Sequence, residues 1–400
     1  AKAAPGVIAV LTGKDLLAAG LGSMPCAAAI VSRDGSPLKT PYRAAMPADY
    51  ARHAGDPVAV VIAQSWQQAR DGVDLVDVDY DPLPHVTGTL AALQPGAPQI
   101  WPEIANNCAA DWEMGNRAAT DAAFARAHHV TRLTLVNQRL VANAMEPRMA
   151  IGEYDAATQR YTMHTATQGV FRWRGLVAEA VFRIAPTQLR VRSYDIGGSF
   201  GMKAFPHPEQ IVTLWAAKQV GRPVKWTAER GESFLSDNQG RDQHAEAELA
   251  LDGNGKFLAL RAQIAAGIGA YASVFGPNVP TLAAGGLQTG VYDIPAMHLN
   301  VKVAYTNTVP VDAYRGAGRP EASYLIERLV DRAAREMNIA PDELRARNFM
   351  RPEQMPHVTA GGLTFDSGNF LALLNEAKQK ADWDGFAVRK KERMARGLLS

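Results

Sequence analysis

Leu189-Arg-Val-Arg-Ser-Tyr-Asp-Ile196, then Gly197-Gly-Ser-Phe-Gly201, then a helix-patterned run from about Pro208 stand in that order, and their reading decides the fold. The first stretch reads as a strand. The third places Ile211, Leu214 and Trp215 on one helical face. Gly221 and Pro223 end that helix, and Val224-Lys-Trp-Thr227 reads as the next strand. Glycines between a strand and a helix let backbone approach a ligand and bare its amide N–H groups. A helix N-terminus at that point adds positive potential for an anion. A plain tight turn fits the same five residues. Neither Gly-x-Gly-x-x-Gly nor a Gly-Lys-Ser/Thr phosphate loop is present here.

Upstream, Val130 to Val136 alternates as a strand, and Ala150 to Tyr154 with Tyr161 to Thr165 forms a hairpin. Further upstream, Val58 to Ala63 is a short apolar strand, Ser65 caps a helix, and Leu75-Val-Asp-Val-Asp-Tyr80 alternates as a second strand. Residues 81 to 118, rich in Pro, Ala, Gly and Asn, read as a connection. Downstream, Ala245 to Leu251 and Phe257 to Gln263 flank an Asp-Gly-Asn-Gly turn. Leu299 to Thr306 is strand-like, Glu321 to Asn338 is a long amphipathic helix, and Pro341 starts a short one. The fold class is therefore α+β.

The 400 residues carry 42 basic and 40 acidic side chains, a balance that calls for neither nucleic acid nor an anionic membrane. No apolar run approaches the roughly 20 residues of a membrane span. Two cysteines, Cys26 and Cys108, form no disulfide framework and are too few for an iron–sulfur cluster. The first residue is Ala and the last residues stop within a basic cluster, so both ends read as cuts in a longer chain.

Two further stretches carry chemistry. Asp312-Ala-Tyr-Arg-Gly-Ala-Gly-Arg-Pro-Glu321 joins a strand to the long helix, and its arginines and glycines suit an oxyanion; a capped helix start with surface arginines reads the same way. Ala166-Thr-Gln168 follows a strand, and the Gln168 amide could donate to a metal-bound oxygen without adding charge, or be merely solvated. His128 and His129 lack a third ligand at convincing spacing. His207, six residues past Gly201, is a candidate to face a pocket.

Taken together and in order, Met145-Glu-Pro-Arg148, Thr167-Gln168, Gly197 to Gly201, Gly221-Arg-Pro-Val-Lys225, Asn307-Thr308, Ala313 to Glu321 and Gly361 to Gly368 resemble the large subunit of the xanthine dehydrogenase/aldehyde oxidase-type molybdenum hydroxylases. The resemblance covers nearly the whole chain. It implies an α/β-hammerhead domain over residues 1–90, a linker over 91–118, a mixed α+β molybdenum-cofactor-binding domain over 119–348, and the start of a second such domain over 349–400.

It also implies a molybdopterin cofactor, in cytosine dinucleotide form if the source is bacterial. Electrons would pass to 2Fe-2S and FAD centres on separate iron–sulfur and FAD subunits, in a dimer of heterotrimers acting on a small-molecule substrate in the cytoplasm or periplasm. By motif match, Gln168 bonds a molybdenum oxygen, Phe200 and Gly201 line the metal beside Gly198 and Ser199, and Arg315 with Gly316 approaches from the opposite loop. Purine-oxidising members carry a Glu where Ala204 stands and an aromatic where Ala317 stands. Carbon monoxide dehydrogenases carry a copper-binding Cys where Gly316 stands. These departures point to aldehydes or N-heterocycles, with a purine dehydrogenase or a non-catalytic assembly module as alternatives. A nicotinamide-linked dehydrogenase ranks below these, since its nucleotide fingerprint is absent. The family's catalytic Glu lies in a Gly-x-Gly-Glu segment that these residues lack, so this stretch alone is expected not to turn over.

Overall fold

The computed structural model describes residues 1–399. Two sheets organise them. The larger has five strands in the spatial order Cys108–Gly115, Ala296–Tyr305, Phe257–Gly269, Gln243–Leu251, His129–Asn137. Its only parallel pair is Phe257–Gly269 with Ala296–Tyr305. The smaller has four strands in the order Leu189–Arg192, Arg160–Thr165, Met149–Asp155, Val224–Thr227.

One helix covers one face of each sheet. The long helix Arg319–Glu336 lays Leu325, Leu329, Val330 and Ala333 into the core of the five-stranded sheet. The helix Pro208–Val220 covers the four-stranded sheet so closely that a Cβ on Gly152 would meet the Thr213 carbonyl oxygen at 2.7 Å. Gly221 ends that helix in the left-handed region, as its sequence position implies.

At the N-terminal end, Val7–Thr12 pairs antiparallel with Ala59–Ala63. The helix Trp66–Asp74 packs on them through Gly72, and the Ser65 hydroxyl caps it by accepting from the Gln68 N–H. The extended segment between those strands belongs to both cores. Leu21, Met24, Ala45 and Met46 join the core of the four-stranded sheet, whereas Ile30 and Leu38 join that of the five-stranded one.

Two readings of local structure differ from this. Residues 91–118, expected as a linker, contain the edge strand Cys108–Gly115, because Ala109, Ala110 and Trp112 find burial in the larger core. Leu75–Tyr80, expected as a strand, forms none. Alternation supplies a suitable edge, but no other strand pairs with it among the described residues, and an unpaired extended segment gains no ladder hydrogen bonds.

Asn307 ties the halves together. Its Oδ1 accepts from the Val86 N–H at 3.0 Å and its Nδ2 donates to the Arg52 carbonyl at 2.9 Å. Tyr305 Oη donates to the Lys39 carbonyl at 2.7 Å, and Trp101 Nε1 to the Ala270 carbonyl at 2.8 Å. Asn307→Ala strips both side-chain bonds and leaves their backbone partners short. The expected loss is about 1–3 kcal/mol of stability, with faster proteolysis between residues 50 and 90. Urea unfolding and timed protease digestion check it, and an unchanged midpoint would show that the tie contributes nothing.

Candidate active site

The glycine loop starts where strand pairing stops. The strand Leu189–Arg192 ends opposite His164, four residues before the boundary expected at Ile196. Gly198, Phe200 and Gly201 then take φ of 102°, 53° and 101°. At Phe200 this is a conformation that an L side chain adopts only under constraint. At Gly201 only glycine fits, since a Cβ would lie 2.5 Å from the Ala313 carbonyl oxygen.

The constraint comes from beneath. Lys203, almost fully buried, donates through Nζ to the Glu146 carbonyl at 2.7 Å and to Glu146 Oε2 at 2.8 Å. The same carboxylate accepts from the Gly197 N–H at 3.0 Å. The helix Pro208–Val220 does not present its N-terminus to this loop, contrary to expectation. Met202, Lys203, Phe205 and His207 are buried between them, and the loop runs first into a short 3-10 turn, Met202–Ala204. His207 is likewise internal. Its Nε2 contacts the Met202 carbonyl at 2.8 Å, and burial followed by the nearby Arg148 charge pushes its pKa down to about 3.

Gln168 reaches the loop from the end of its neighbouring strand. Its Oε1 accepts from the Gly201 N–H at 2.7 Å and from the Ser199 hydroxyl. A backbone N–H can only donate, so the orientation of the amide is fixed by its partner. The Nε2 end has no partner among the described residues, and the side chain is exposed.

The arginine loop completes the arrangement. The Arg315 N–H donates to the Phe200 carbonyl at 2.8 Å, which brings the two loops edge to edge. Gly316, Ala317 and Gly318 have φ of 90°, 32° and 93°. The Arg315 guanidinium is exposed and unpaired among the described residues, whereas Arg319 folds back on the Gly316 carbonyl at 3.3 Å. The two arginines are thus not equivalent: one nitrogen of Arg319 is engaged by its own loop, whereas the Arg315 guanidinium has no partner among the described residues. Ala204 and Ala317 are half-buried, each closing a backbone turn, onto Gly201 and Tyr314 respectively.

Sequence reasoning missed Arg241 and Lys203. Arg241 is buried and donates to the Tyr314 and Arg315 carbonyls at 3.0 and 2.9 Å and to Glu321 Oε1 at 3.0 Å. Glu321 Oε2 in turn accepts from the Gly318 N–H at 2.9 Å. The only signal was an Arg-Asp pair just ahead of a strand, and a Lys set among otherwise apolar residues. Arg148 is fully engaged by Glu209 at 2.6 and 2.9 Å and by Asp237 at 2.5 Å. Burial alone would raise the Glu209 pKa, but the guanidinium holds it at about 2.

With two loops and a free amide donor in place, similarity to known proteins can be set beside the geometry. Residues 100–349 match the molybdopterin cofactor-binding domain, and residues 1–84 match the aldehyde oxidase and xanthine dehydrogenase a/b hammerhead domain. The chain belongs to the aldehyde oxidase/xanthine dehydrogenase family. Quinoline 2-oxidoreductase from Pseudomonas putida 86 superposes with a TM-score of 0.90 at 33% identity, over 99% of this chain and 49% of that one. The carbon monoxide dehydrogenase large chain of Hydrogenophaga pseudoflava is 34% identical over 99% of this chain and 49% of its own length. The nicotine 6-hydroxylase large subunit of Paenarthrobacter nicotinovorans is 30% identical over 86% of this chain and 42% of its own. The chain thus spans about half the length of the family relatives it matches. The family's molybdopterin-binding domain contains both loops and Gln168.

Asp312, at the foot of the arginine loop, is buried, which lifts its carboxyl to about 6, although it accepts from the Ala313 N–H at 2.6 Å. Its folded pKa lies above the ordinary aspartate value of 3.8. Between those values the folded state therefore holds the extra proton, and stability falls as pH rises from about 4 to about 6. Asp312→Asn removes this contribution. Its stability relative to the parent chain should improve across that window and level off above it. Paired denaturation curves at pH 4, 5, 6 and 7 test this, and a constant difference would contradict it.

Proposed function

We propose that this chain is the cofactor-holding part of a molybdenum hydroxylase that oxidises an aldehyde or N-heterocycle with water-derived oxygen. The observation that carries the reading is the Gln168 amide, its acceptor end locked by Gly201 and Ser199 and its donor end left open.

The residues present fit the cofactor. Among the described residues no group of three or more His, Cys, Asp or Glu is placed to hold a metal ion. The loops offer instead hydrogen-bond donors and glycine backbone, a donor set suited to a metal that arrives with its own ligands on a pterin. Gln168, Gly198, Ser199, Phe200 and Gly201 would hold it from one side, and Arg315 with Gly316 from the other. When bound, it supplies two-electron oxidation and the transferred oxygen. Gln168 Nε2 supplies a neutral donor already aimed before reaction, so no reorganisation is needed as charge develops. The Arg315 guanidinium supplies positive charge at the mouth of the site. The cytosine dinucleotide form of the pterin, 2Fe-2S and FAD centres on iron–sulfur and FAD subunits, and a dimer of heterotrimers in the cytoplasm or periplasm complete the proposal. Among the described residues no helix is long and apolar enough to cross a membrane.

Substrate choice follows from three small residues. Ala204 and Ala317 offer no hydrogen bond and no ring to a purine, whose polar groups would then be buried without partners. Gly316 offers no thiolate for copper. Its φ of 90°, with a Cβ position 2.7 Å from the Pro320 ring, supports this reading, since the loop is shaped around glycine there.

Two outcomes test this in the full-length, sulfurated complex. Gln168→Ala should lower kcat about a hundredfold or more while molybdenum content stays at the parent level; normal turnover at full occupancy would remove Gln168 from the site. In a dye-reduction screen, an aldehyde or azaheterocycle should lead xanthine and hypoxanthine, and carbon monoxide should give no turnover. Purine or carbon monoxide oxidation heading that panel would overturn the substrate assignment.

A further inference from the structure

Arg139 lies in neither loop of the site, yet it is joined to both segments that carry the arginine loop. It stands after the strand His129–Asn137 and just before Leu140–Val141, which pairs antiparallel with Gln239–Gly240. A guanidinium has five N–H donors, and that of Arg139 uses them all. Nε and Nη2 donate to Asp242 Oδ2 at 3.2 and 2.7 Å. Nη2 also donates to Thr308 Oγ1 at 2.7 Å, and Nη1 to the Val309 carbonyl at 2.7 Å and to Gln239 Oε1 at 3.2 Å. The Arg139 side chain is 20% exposed and that of Asp242 15%, so salt screens this pair less than one at the surface.

These partners lie on two segments. Thr308 and Val309 are the chain entering the arginine loop. Gln239 and Asp242 flank Gly240 and Arg241, on which that loop rests. Gln239 runs beside the entering chain: its N–H donates to the Pro310 carbonyl at 3.0 Å, and its carbonyl accepts from the Asp312 N–H at 2.9 Å. A Cβ on Gly240 would lie 2.5 Å from Tyr314 Cβ, so turn and loop are in contact there. Arg241 and Asp242 hold φ of 69° and 64°, and two successive left-handed residues other than glycine persist only where their surroundings hold them. The Arg241 side chain is tied to the Tyr314 and Arg315 carbonyls. The Asp242 carboxylate is tied to Arg139 and, by Oδ1, to the Thr89 hydroxyl at 3.2 Å. It is seated over Gly267, whose Cβ would lie 2.3 Å from Oδ2. A lysine ammonium, with its donors on one atom, could not span the same partners.

We propose that Arg139 is a positioning residue for the arginine loop. It fixes the spacing between the chain entering that loop and the turn whose Arg241 grips it, and so sets where Arg315 stands against the glycine loop. Its hydrogen bonds all end on this framework, so it acts through Asp242 and Arg241 rather than on a ligand. The consequence for turnover rests on the hydroxylase reading above.

The test uses the full-length chain in its loaded complex. Arg139→Lys keeps a charge facing Asp242 but loses the span. Amide exchange across residues 312–318 should quicken about tenfold or more, while the strand Phe257–Gly269 and Tm stay near the parent. Arg132→Lys, on a mostly exposed arginine of the preceding strand paired with Glu248, should change neither. Turnover of the leading compound of the dye-reduction panel is the second readout. Arg139→Lys should lower kcat/KM about tenfold, and in an Arg315→Ala background it should lower it little further, because both changes act through one group. Parental exchange in 312–318, or quickening spread evenly over the five-stranded sheet, would overturn the proposal. If Arg315→Ala slows turnover and the two effects multiply, this proposal alone falls and the hydroxylase reading stands. Arg315→Ala with parental turnover would remove Arg315 from the site, and this proposal with it. A panel in which nothing turns over would sink the hydroxylase reading and leave exchange to decide the clamp. Should Arg139→Lys fail to fold, Thr308→Val deletes one acceptor and spares the ion pair; unchanged exchange in the loop would overturn the proposal equally.

Discussion

The site depends on one buried guanidinium. Arg241 holds the carbonyls of Tyr314 and Arg315 while its charge is met by Glu321, and Glu321 also fixes the Gly318 N–H. This turns the arginine loop into a rigid edge. The edge meets the glycine loop through the Arg315 N–H and the Phe200 carbonyl, and Gly201 has no Cβ because Ala313 occupies that space. Phe200, Ala317, Arg241 and Asp242 all have positive φ. Such conformations cost about 1–3 kcal/mol each and persist only where surroundings over-determine them. Here the surroundings are charge-assisted bonds made by buried ions, which are costly to break because one partner would be left alone.

Those ions share a second property. Arg148 with Glu209 and Asp237, Lys203 with Glu146, and Arg241 with Glu321 all lie behind the loops, each cation held by at least one carboxylate. What the loops present outward is mostly neutral: backbone amides and the Gln168 carboxamide. A charged group in place of Gln168 would break this neutrality, and a flexible one would lose the orientation that Ser199 and Gly201 impose. The ion pairs give rigidity without adding net charge at the surface, so Arg315 remains the free cation of the two loops among the described residues.

Much of this was legible in the sequence, for identifiable reasons. Alternation and turn chemistry located the hairpins, and Ser65, Gly221 and Pro208 marked helix ends because capping is local. Gln168, Gly201 and Arg315 were singled out together only because their motifs, in order, resemble those of the molybdenum hydroxylases; each alone reads equally as a solvated side chain, a tight turn or a capped helix start. What failed was non-local. Leu75–Tyr80 has the pattern of a strand, but a strand also needs a neighbour, and pattern does not supply one. Cys108–Gly115 looked like connection because its small residues carry little hydrophobic signal until the larger core encloses them. Arg241 and Lys203 were missed because their only local signals, an Arg-Asp pair ahead of a strand and a Lys among apolar residues, do not separate a buried, fully bonded cation from a solvated one.

The same division separates loop positions that tolerate a new side chain from those that do not. Ala204, Gly316 and Ala317 hold their places through backbone bonds made by others: Ala204 N–H to Gly201, Ala317 N–H to Tyr314, and Arg241 to the carbonyls beside Gly316. Their own side chains support nothing. Substituting Ala204 therefore leaves undisturbed the bonds that hold the loops. Gly316 is different, because its φ of 90° and the nearby Pro320 ring make the backbone itself depend on the absence of a side chain. Acquiring a thiolate there would require the arginine loop to take another path, and Arg241 is bonded to that path at two carbonyls. A substitution at Ala204 is thus compatible with the path of the loops, whereas any side chain at Gly316 conflicts with it.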